Sequence, residues 1–144
     1  MNTLSIGGAC ASRELELGID DLAAVDAIHQ IEDVGRILDG RKGAAVRLSA
    51  LKDLVMPTGE ARFVHVESDD GSFTANLAIE RALTHGLILY ALNGEALPAR
   101  FGGPFRLMLA EGEDCSVNVK YLARLDFVSD EGSHTANCAD DAKD

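Results

Sequence analysis

Three cysteines carry the most versatile side chains of this 144-residue chain, because a thiolate can act as a nucleophile or as a soft metal ligand. They are Cys10, Cys115 and Cys138, and no two of them form a Cys-x-x-Cys pair. Their odd number excludes a complete disulfide framework, so reduced thiols are the simpler interpretation. Acidic residues precede Cys115, and neighbouring carboxylates make a thiol a poorer nucleophile, which favours an ordinary loop cysteine.

Histidine and paired carboxylates are the other candidates for chemistry. His65 lies inside the alternating segment 63–67, which favours a position on a sheet surface over a metal-ligand role. Asp69 and Asp70 could share acid–base work, but they stand directly before Gly71, a pattern typical of a turn. We interpret both aspartates as turn formers.

Two cations, Arg106 and Lys120, each fall on the polar face of a predicted strand. An arginine offers a bidentate fork and a lysine a point charge, so the pair could anchor an anionic group. The alternative is that both lie on solvated strand faces and pair with nearby carboxylates such as Glu111 and Asp114. The sequence leaves both interpretations open.

Alternation of apolar and polar residues predicts strands at residues 15–19, 63–67, 105–109 and 117–127. The continuous apolar run 87–92 predicts a buried strand, and we expect a further strand over 27–34. The alternation is longest over 117–127. In that segment, Tyr121, Leu125 and Phe127 share the apolar face, which predicts a long central strand that buries all three side chains.

Helical spacing predicts a single turn capped by Asp20 or Asp21, a helix over 48–55 that Pro57 ends, and a short helix over 79–83 that stops near Gly86. Short strands punctuated by short helices indicate an α+β fold.

Composition limits the function classes. A net charge of −11 disfavours nucleic-acid binding, which needs clustered cations. No apolar run reaches the length of a membrane helix, and no secretory signal is evident at the N-terminus, so we expect a cytoplasmic protein. We expect residues 1–128 to form one domain and residues 129–144, which are acidic and poor in apolar side chains, to form a mobile tail.

The order of motifs identifies a family. The stretches Leu87-Ile-Leu-Tyr-Ala-Leu-Asn-Gly-Glu-Ala-Leu-Pro98, Gly102-Gly-Pro-Phe-Arg106 and Val119-Lys-Tyr-Leu-Ala-Arg-Leu125 follow one another at the spacing of the oxidoreductase molybdopterin-binding domain, which this chain resembles over residues 3 to 128. The resemblance implies an α+β fold of mixed sheets, like that of sulfite oxidase, with a pterin cofactor in a cleft. It also implies oxygen-atom transfer at molybdenum, with sulfur or nitrogen oxyanions as typical substrates.

The chain departs from the family at the metal. The family holds its metal through the cofactor's dithiolene and one protein cysteine, which lies in the part that matches residues 26–36. That window contains His29, Glu32 and Asp33 but no cysteine. Phe101 replaces the family's histidine, and the acids in the loop 111–116 would repel a phosphate.

These departures predict a molybdopterin-binding oxidoreductase-like domain that is degenerate at the metal site, with no catalytic residue and no metal ligand assigned. The alternative is a non-catalytic binding or protein-interaction module that reuses the fold, with a protein partner. The resemblance implies that molybdopterin or a small anion could still bind, and the candidate cofactor-binding residues are Arg106, Lys120, Asn118 and Ser116.

Overall fold

The computed structural model describes residues 3–38, 41–110 and 119–129, which form two β-sheets with short helices. The strands are β1 (Leu4–Gly7), β2 (Leu15–Leu17), β3 (Gln30–Ile31), β4 (Ala44–Arg47), β5 (Phe63–Ser68), β6 (Thr74–Ala78), β7 (Gly86–Leu92), β8 (Glu95–Ala96), β9 (Arg106–Leu109) and β10 (Leu122–Val128). The helices are α1 (Ile19–Ala23), α2 (Leu48–Val55) and α3 (Ile79–His85), with 3₁₀ turns at Ala27–His29, Val34–Arg36 and Ala99–Phe101. The α+β prediction is confirmed.

The first sheet has the strand order β2-β1-β10-β5-β6, so β10 is central, as predicted. It pairs in parallel with β1 and antiparallel with β5, which makes the sheet mixed. Leu125 lies in register with Ile6 on one side and Val66 on the other, and all three are buried in the main hydrophobic cluster. This row of branched side chains forms the centre of the core, together with Phe127 in the same strand.

The start of β10 corrects the prediction of one long alternating strand. The regular strand begins at Leu122, and the register shifts between Leu122 and Arg124. Tyr121 has a φ of +56° and is 39% exposed, whereas we expected it to be buried. A left-handed residue turns the chain out of the pleat, so alternation cannot continue through it. Residues 117 and 118 lie outside the described part of the chain.

The second sheet has the order β3-β4-β7-β8, and β9 also pairs with β7. One face packs on the main cluster through Ile88 and Leu107. The other face is covered by a smaller cluster, which consists of Ile31, Val34, Leu38, Ala45, Leu87, Leu89, Leu97 and Met108. Every residue of β9 is therefore buried, where alternation over 105–109 predicted one buried face.

The helices agree closely with the predictions. In α2, the spacing of Leu48, Leu51 and Val55 buries one stripe against the core, and the helix ends at Met56 in a left-handed conformation just before Pro57. Helix α3 ends before Gly86, as predicted.

The single turn α1 is capped differently from the prediction. Its N-cap is Gly18, and Asp21 accepts a hydrogen bond from the Gly18 N–H at 2.7 Å. Asp21 therefore stabilises the turn from inside the helix rather than from the cap position.

The predicted strand over 27–34 is wrong. The segment forms two 3₁₀ turns around the two-residue strand β3. Gln30 explains the difference, because its Nε2 donates to the carbonyls of Leu22 and Val25, and its Oε1 accepts from the Tyr90 hydroxyl at 2.6 Å. These tertiary hydrogen bonds hold the chain in a compact path that local alternation does not reveal.

Strands β4 and β6 were not predicted, because each of the segments Ala44–Arg47 and Thr74–Ala78 contains two alanines and only one β-branched residue. Among the residues described, no helix is long and apolar enough to cross a membrane. The proposed tail, apart from Ser129, lies outside the described residues.

Candidate functional site

The structure describes two of the four candidate cofactor-binding residues, Arg106 and Lys120. Ser116 and Asn118 lie outside the described residues, as do Cys115 and the acidic positions at 111–114. The described part of the candidate site consists of these two cations and their neighbours.

Arg106 begins β9 and pairs directly with Leu89 of β7, so its side chain projects on the face covered by the smaller hydrophobic cluster. It is 8% exposed. Its Nη1 donates a hydrogen bond to the carbonyl oxygen of Phe101 at 3.1 Å. Arg106 is thus a buried, positioned cation.

Lys120 is exposed and lies beside Arg106. Gly102 shows this most directly: a Cβ added there would lie 2.9 Å from Cγ of Lys120 and 3.0 Å from Cδ of Arg106. Gly102 has a φ of +91°, which favours glycine in any case. The aliphatic stems of Arg106 and Lys120 therefore both approach the space that a side chain at residue 102 would fill.

The backbone around the cations is fixed by hydrogen bonds from Tyr121. Its N–H donates to the Gly102 carbonyl at 2.7 Å, and its own carbonyl accepts from the Asp69 N–H at 2.8 Å. The next residue, Leu122, donates to the Phe105 carbonyl at 2.8 Å. The loop that carries Phe101 and Gly102 is thereby tied to the segment that carries Lys120 and leads into β10.

Arg41 is a third cation near the site, and we did not predict it. Burial lowers the pKa of Arg106 to about 10, and the positive charge of Arg41 contributes to the lowering. The pKa remains far above neutral pH, so Arg106 carries its charge there. Arg41 is far from Arg106 in the sequence, so no local signal could have placed it near the site.

The possible metal ligands within residues 26–36 lie at or near the surface, with Glu32 and Asp33 exposed and His29 half-buried. Asp33 accepts a hydrogen bond from the Gly35 N–H at 2.9 Å and so caps a 3₁₀ turn. Glu32 and Asp33 line a cavity of about 440 Å³ with Lys42. Within residues 3–38, 41–110 and 119–129, no group of three or more His, Cys, Asp and Glu side chains is arranged to hold a metal ion.

Cys10 is buried in the main hydrophobic cluster, 7% exposed, and its backbone N–H donates to the Phe127 carbonyl. It is the one cysteine that the described ranges include. Cys10 is therefore a packing residue of the main cluster, whereas Arg106 projects on the face of the smaller cluster.

His65 and the aspartate pair have structural partners. His65 is only partly buried on β5, where its Nδ1 lies 2.8 Å from Oδ1 of Asn76 on the neighbouring strand. Asp70 accepts hydrogen bonds from Ser72 and Ser68, which hold the pKa of its carboxyl below the ordinary value. The turn interpretation of Asp69 and Asp70 is confirmed.

Comparison with solved structures gives the fold independently. The chain is similar to the sulfane dehydrogenase SoxCD from Paracoccus pantotrophus, with a TM-score of 0.68 and 19% sequence identity. The match covers 90% of this chain and 39% of that chain, so the likeness extends to well under half of the larger protein. At this identity, it shows a shared fold.

Sequence comparisons give the family. No curated protein sequence matches the chain. Residues 42–136, more than half of the chain, match the sequence profile of the oxidoreductase molybdopterin binding domain. The chain therefore belongs to the oxidoreductase molybdopterin-binding domain family.

Proposed function

We propose that this chain is a molybdopterin-domain fold that binds a small anion or the anionic part of a pterin cofactor and does not turn over as a molybdenum oxidoreductase. The observation that carries the proposal is the convergence of Arg106 and Lys120 beside Gly102. In a chain of net charge −11, two cations held side by side are a specific feature rather than part of a general basic surface.

The cations suit an oxyanion. Arg106 is held in one orientation by its bond to the Phe101 carbonyl, so little of its side-chain entropy remains to be lost when an anion approaches. Lys120 supplies an exposed charge next to it. A phosphate or sulfate group is therefore the natural ligand for this pair, and the phosphate of a pterin cofactor has the same chemistry.

Among the residues that the structure describes, the donor set suits the metal poorly. A molybdenum centre of this family needs a soft thiolate, and Cys10 is enclosed by apolar side chains. His29, Glu32 and Asp33 offer imidazole and carboxylates in the window where the family has its cysteine, and Asp33 already caps a turn. We therefore derive no redox step for this chain and assign no catalytic residue.

Thermal unfolding in the presence of anions tests the proposal. Low-millimolar phosphate should raise the midpoint of unfolding, since a ligand at a hundred times its Kd stabilises the native state by about 2.7 kcal/mol. Arg106→Ala should remove most of that effect, whereas Arg62→Ala, which removes an exposed arginine of another loop, should retain it. Chloride at matched ionic strength controls for general salt effects.

An equal response in wild type and Arg106→Ala would contradict the proposal. It would leave the excluded-solute effect of phosphate as the whole explanation.

A further inference from the structure

Three cations surround the backbone at Phe101 and Gly102. Arg106 donates a hydrogen bond to the Phe101 carbonyl at 3.1 Å, and the guanidinium carbon of Arg100 lies 4.9 Å from the centre of the Phe101 ring. The stem of Lys120 approaches Gly102. We call Arg100, Arg106 and Lys120 the cation cluster. Because Arg100 and Lys120 are exposed, the cluster gives this end of the molecule a positive potential that attracts carboxylates.

The outer face of the first sheet, which points away from the core, has the opposite charge. In the described part of the chain it carries the carboxylates of Glu14, Glu16, Glu67 and Asp126. Arg124 lies among them, but it is already paired with Asp126 at 2.8 Å and with Glu14 at 3.4 Å. The carboxylates outnumber this arginine, so the outer face repels an acidic segment.

Strand β10 connects these two regions with the acidic end of the sequence. Lys120 stands two residues before β10, and residues 130–144 follow the strand. The seven residues of β10 extend over about 20 Å. An unstructured chain of fifteen residues has a root-mean-square span of about 20 Å, so residues 130–144 can return to the cation cluster. A tethered partner has its highest effective concentration when its span matches the distance in this way.

Residues 130–144 have the charge that the cation cluster attracts. They carry one lysine, Lys143, and five carboxylates, which belong to Asp130, Glu131, Asp140, Asp141 and Asp144. We propose that this acidic segment docks on the cation cluster and competes there with small anions. The inference rests on the proposed anion-binding function and adds a form of regulation to it. Weak, exposed ion pairs are sufficient, because a short tether supplies a millimolar effective concentration.

Phosphate titrations with two charge-matched variants test the competition. The segment variant combines Asp140→Asn, Asp141→Asn and Asp144→Asn. The control variant combines Asp53→Asn, Glu60→Gln and Glu80→Gln, which removes the same number of negative charges from exposed positions elsewhere. The segment variant should bind phosphate about two- to five-fold more tightly than the control, the effect of losing a competitor present at a few times its dissociation constant. This difference should disappear in high salt, which screens exposed ion pairs.

A spin label on Cys138 reports the docking directly, because this cysteine belongs to the acidic segment. Cys115→Ser removes the second thiol, and Cys10 is only 7% exposed, so a nitroxide reagent should label Cys138 selectively. The label should broaden the amide NMR signals of Gly102 and Lys120 more than those of the outer face of the first sheet. Phosphate should reverse that broadening.

Each result has one meaning. Equal phosphate affinities of the segment variant and the control, or no broadening at the cation cluster, would overturn the docking and leave the anion site intact. Broadening that appears only when the label and the isotope are on different chains would assign the contact to a second copy, which also overturns the inference. Failure of wild type and both variants to bind phosphate would overturn this inference and the proposed function together.

Discussion

Leu107 and Val119 exchange two backbone hydrogen bonds, with the Leu107 N–H donating to Val119 O at 2.9 Å and the Val119 N–H donating to Leu107 O at 3.2 Å. In an antiparallel bridge, the residue before one partner lies opposite the residue after the other. Arg106 and Lys120 are those residues. Because Leu107 and Val119 point into the core, the two cations project together on the other face.

Gly102 should be essential to this arrangement. Gly102→Ala introduces both a strained positive φ and a methyl group that collides with the stems of Arg106 and Lys120. Gly94→Ala is the matched control, because Gly94 also has a positive φ, +81°, but nothing lies within 4 Å of an added Cβ. In urea unfolding, Gly102→Ala should cost about 1–3 kcal/mol more than Gly94→Ala. Of the two variants, only Gly102→Ala should abolish the rise in the midpoint of unfolding that phosphate produces. Equal costs of the two substitutions would contradict the close approach of the Arg106 and Lys120 stems to Gly102.

Leu125 should contribute strongly to stability. It is fully buried between Ile6 and Val66 in the central strand, so Leu125→Ala should lower the free energy of unfolding by about 2–5 kcal/mol. Leu54→Ala, on the exposed side of α2, should cost much less. Chemical denaturation measures both. A loss below about 1 kcal/mol for Leu125→Ala would contradict the central position of β10.

Tyr90 should make stability depend on pH in the alkaline range. Burial raises the pKa of its hydroxyl above the ordinary value of 10.0, while the unfolded chain ionises at that value. Above pH 10 the unfolded state therefore loses this proton first, and stability falls as pH rises towards the folded pKa.

Tyr90→Phe should remove this loss of stability. At neutral pH, the substitution should cost about 0.5–1.5 kcal/mol, because Oε1 of Gln30 loses its hydrogen bond from the Tyr90 hydroxyl. The measurement is the difference in the free energy of unfolding between wild type and variant across pH 8 to 11. The lowered pKa of Arg106 makes stability rise with pH, but it does so equally in both proteins and cancels in the difference. A pH-independent difference would refute the burial argument.

The sequence was most informative where side-chain spacing alone decides structure. The buried stripe of α2 and the turn at Asn93-Gly94 require only local information, and the turn has the positive φ values expected of its residues. The family motifs indicated Arg106 and Lys120 as a possible anion-binding pair, but their proximity depends on the bridge between Leu107 and Val119, which the sequence leaves undetermined.

The remaining features depend on contacts between distant segments. Tyr121 departs from the alternating pattern because its backbone is left-handed, and a tyrosine gives no sign of that conformation in the sequence. Residues 27–34 form turns rather than the predicted long strand because Gln30 makes hydrogen bonds with Leu22, Val25 and Tyr90. The approach of Arg41 to Arg106 likewise depends on how a loop folds back.

The central claim is that this fold binds anions without a resident molybdenum, and metal content tests it most directly. The chain should be purified from a host that makes molybdopterin, and molybdenum and pterin should be quantified per chain by mass spectrometry and fluorescence. We predict molybdenum far below one atom per chain, and any bound pterin should decrease in Arg106→Ala. Molybdenum near one atom per chain would contradict the claim and would make Cys115 the first ligand to replace.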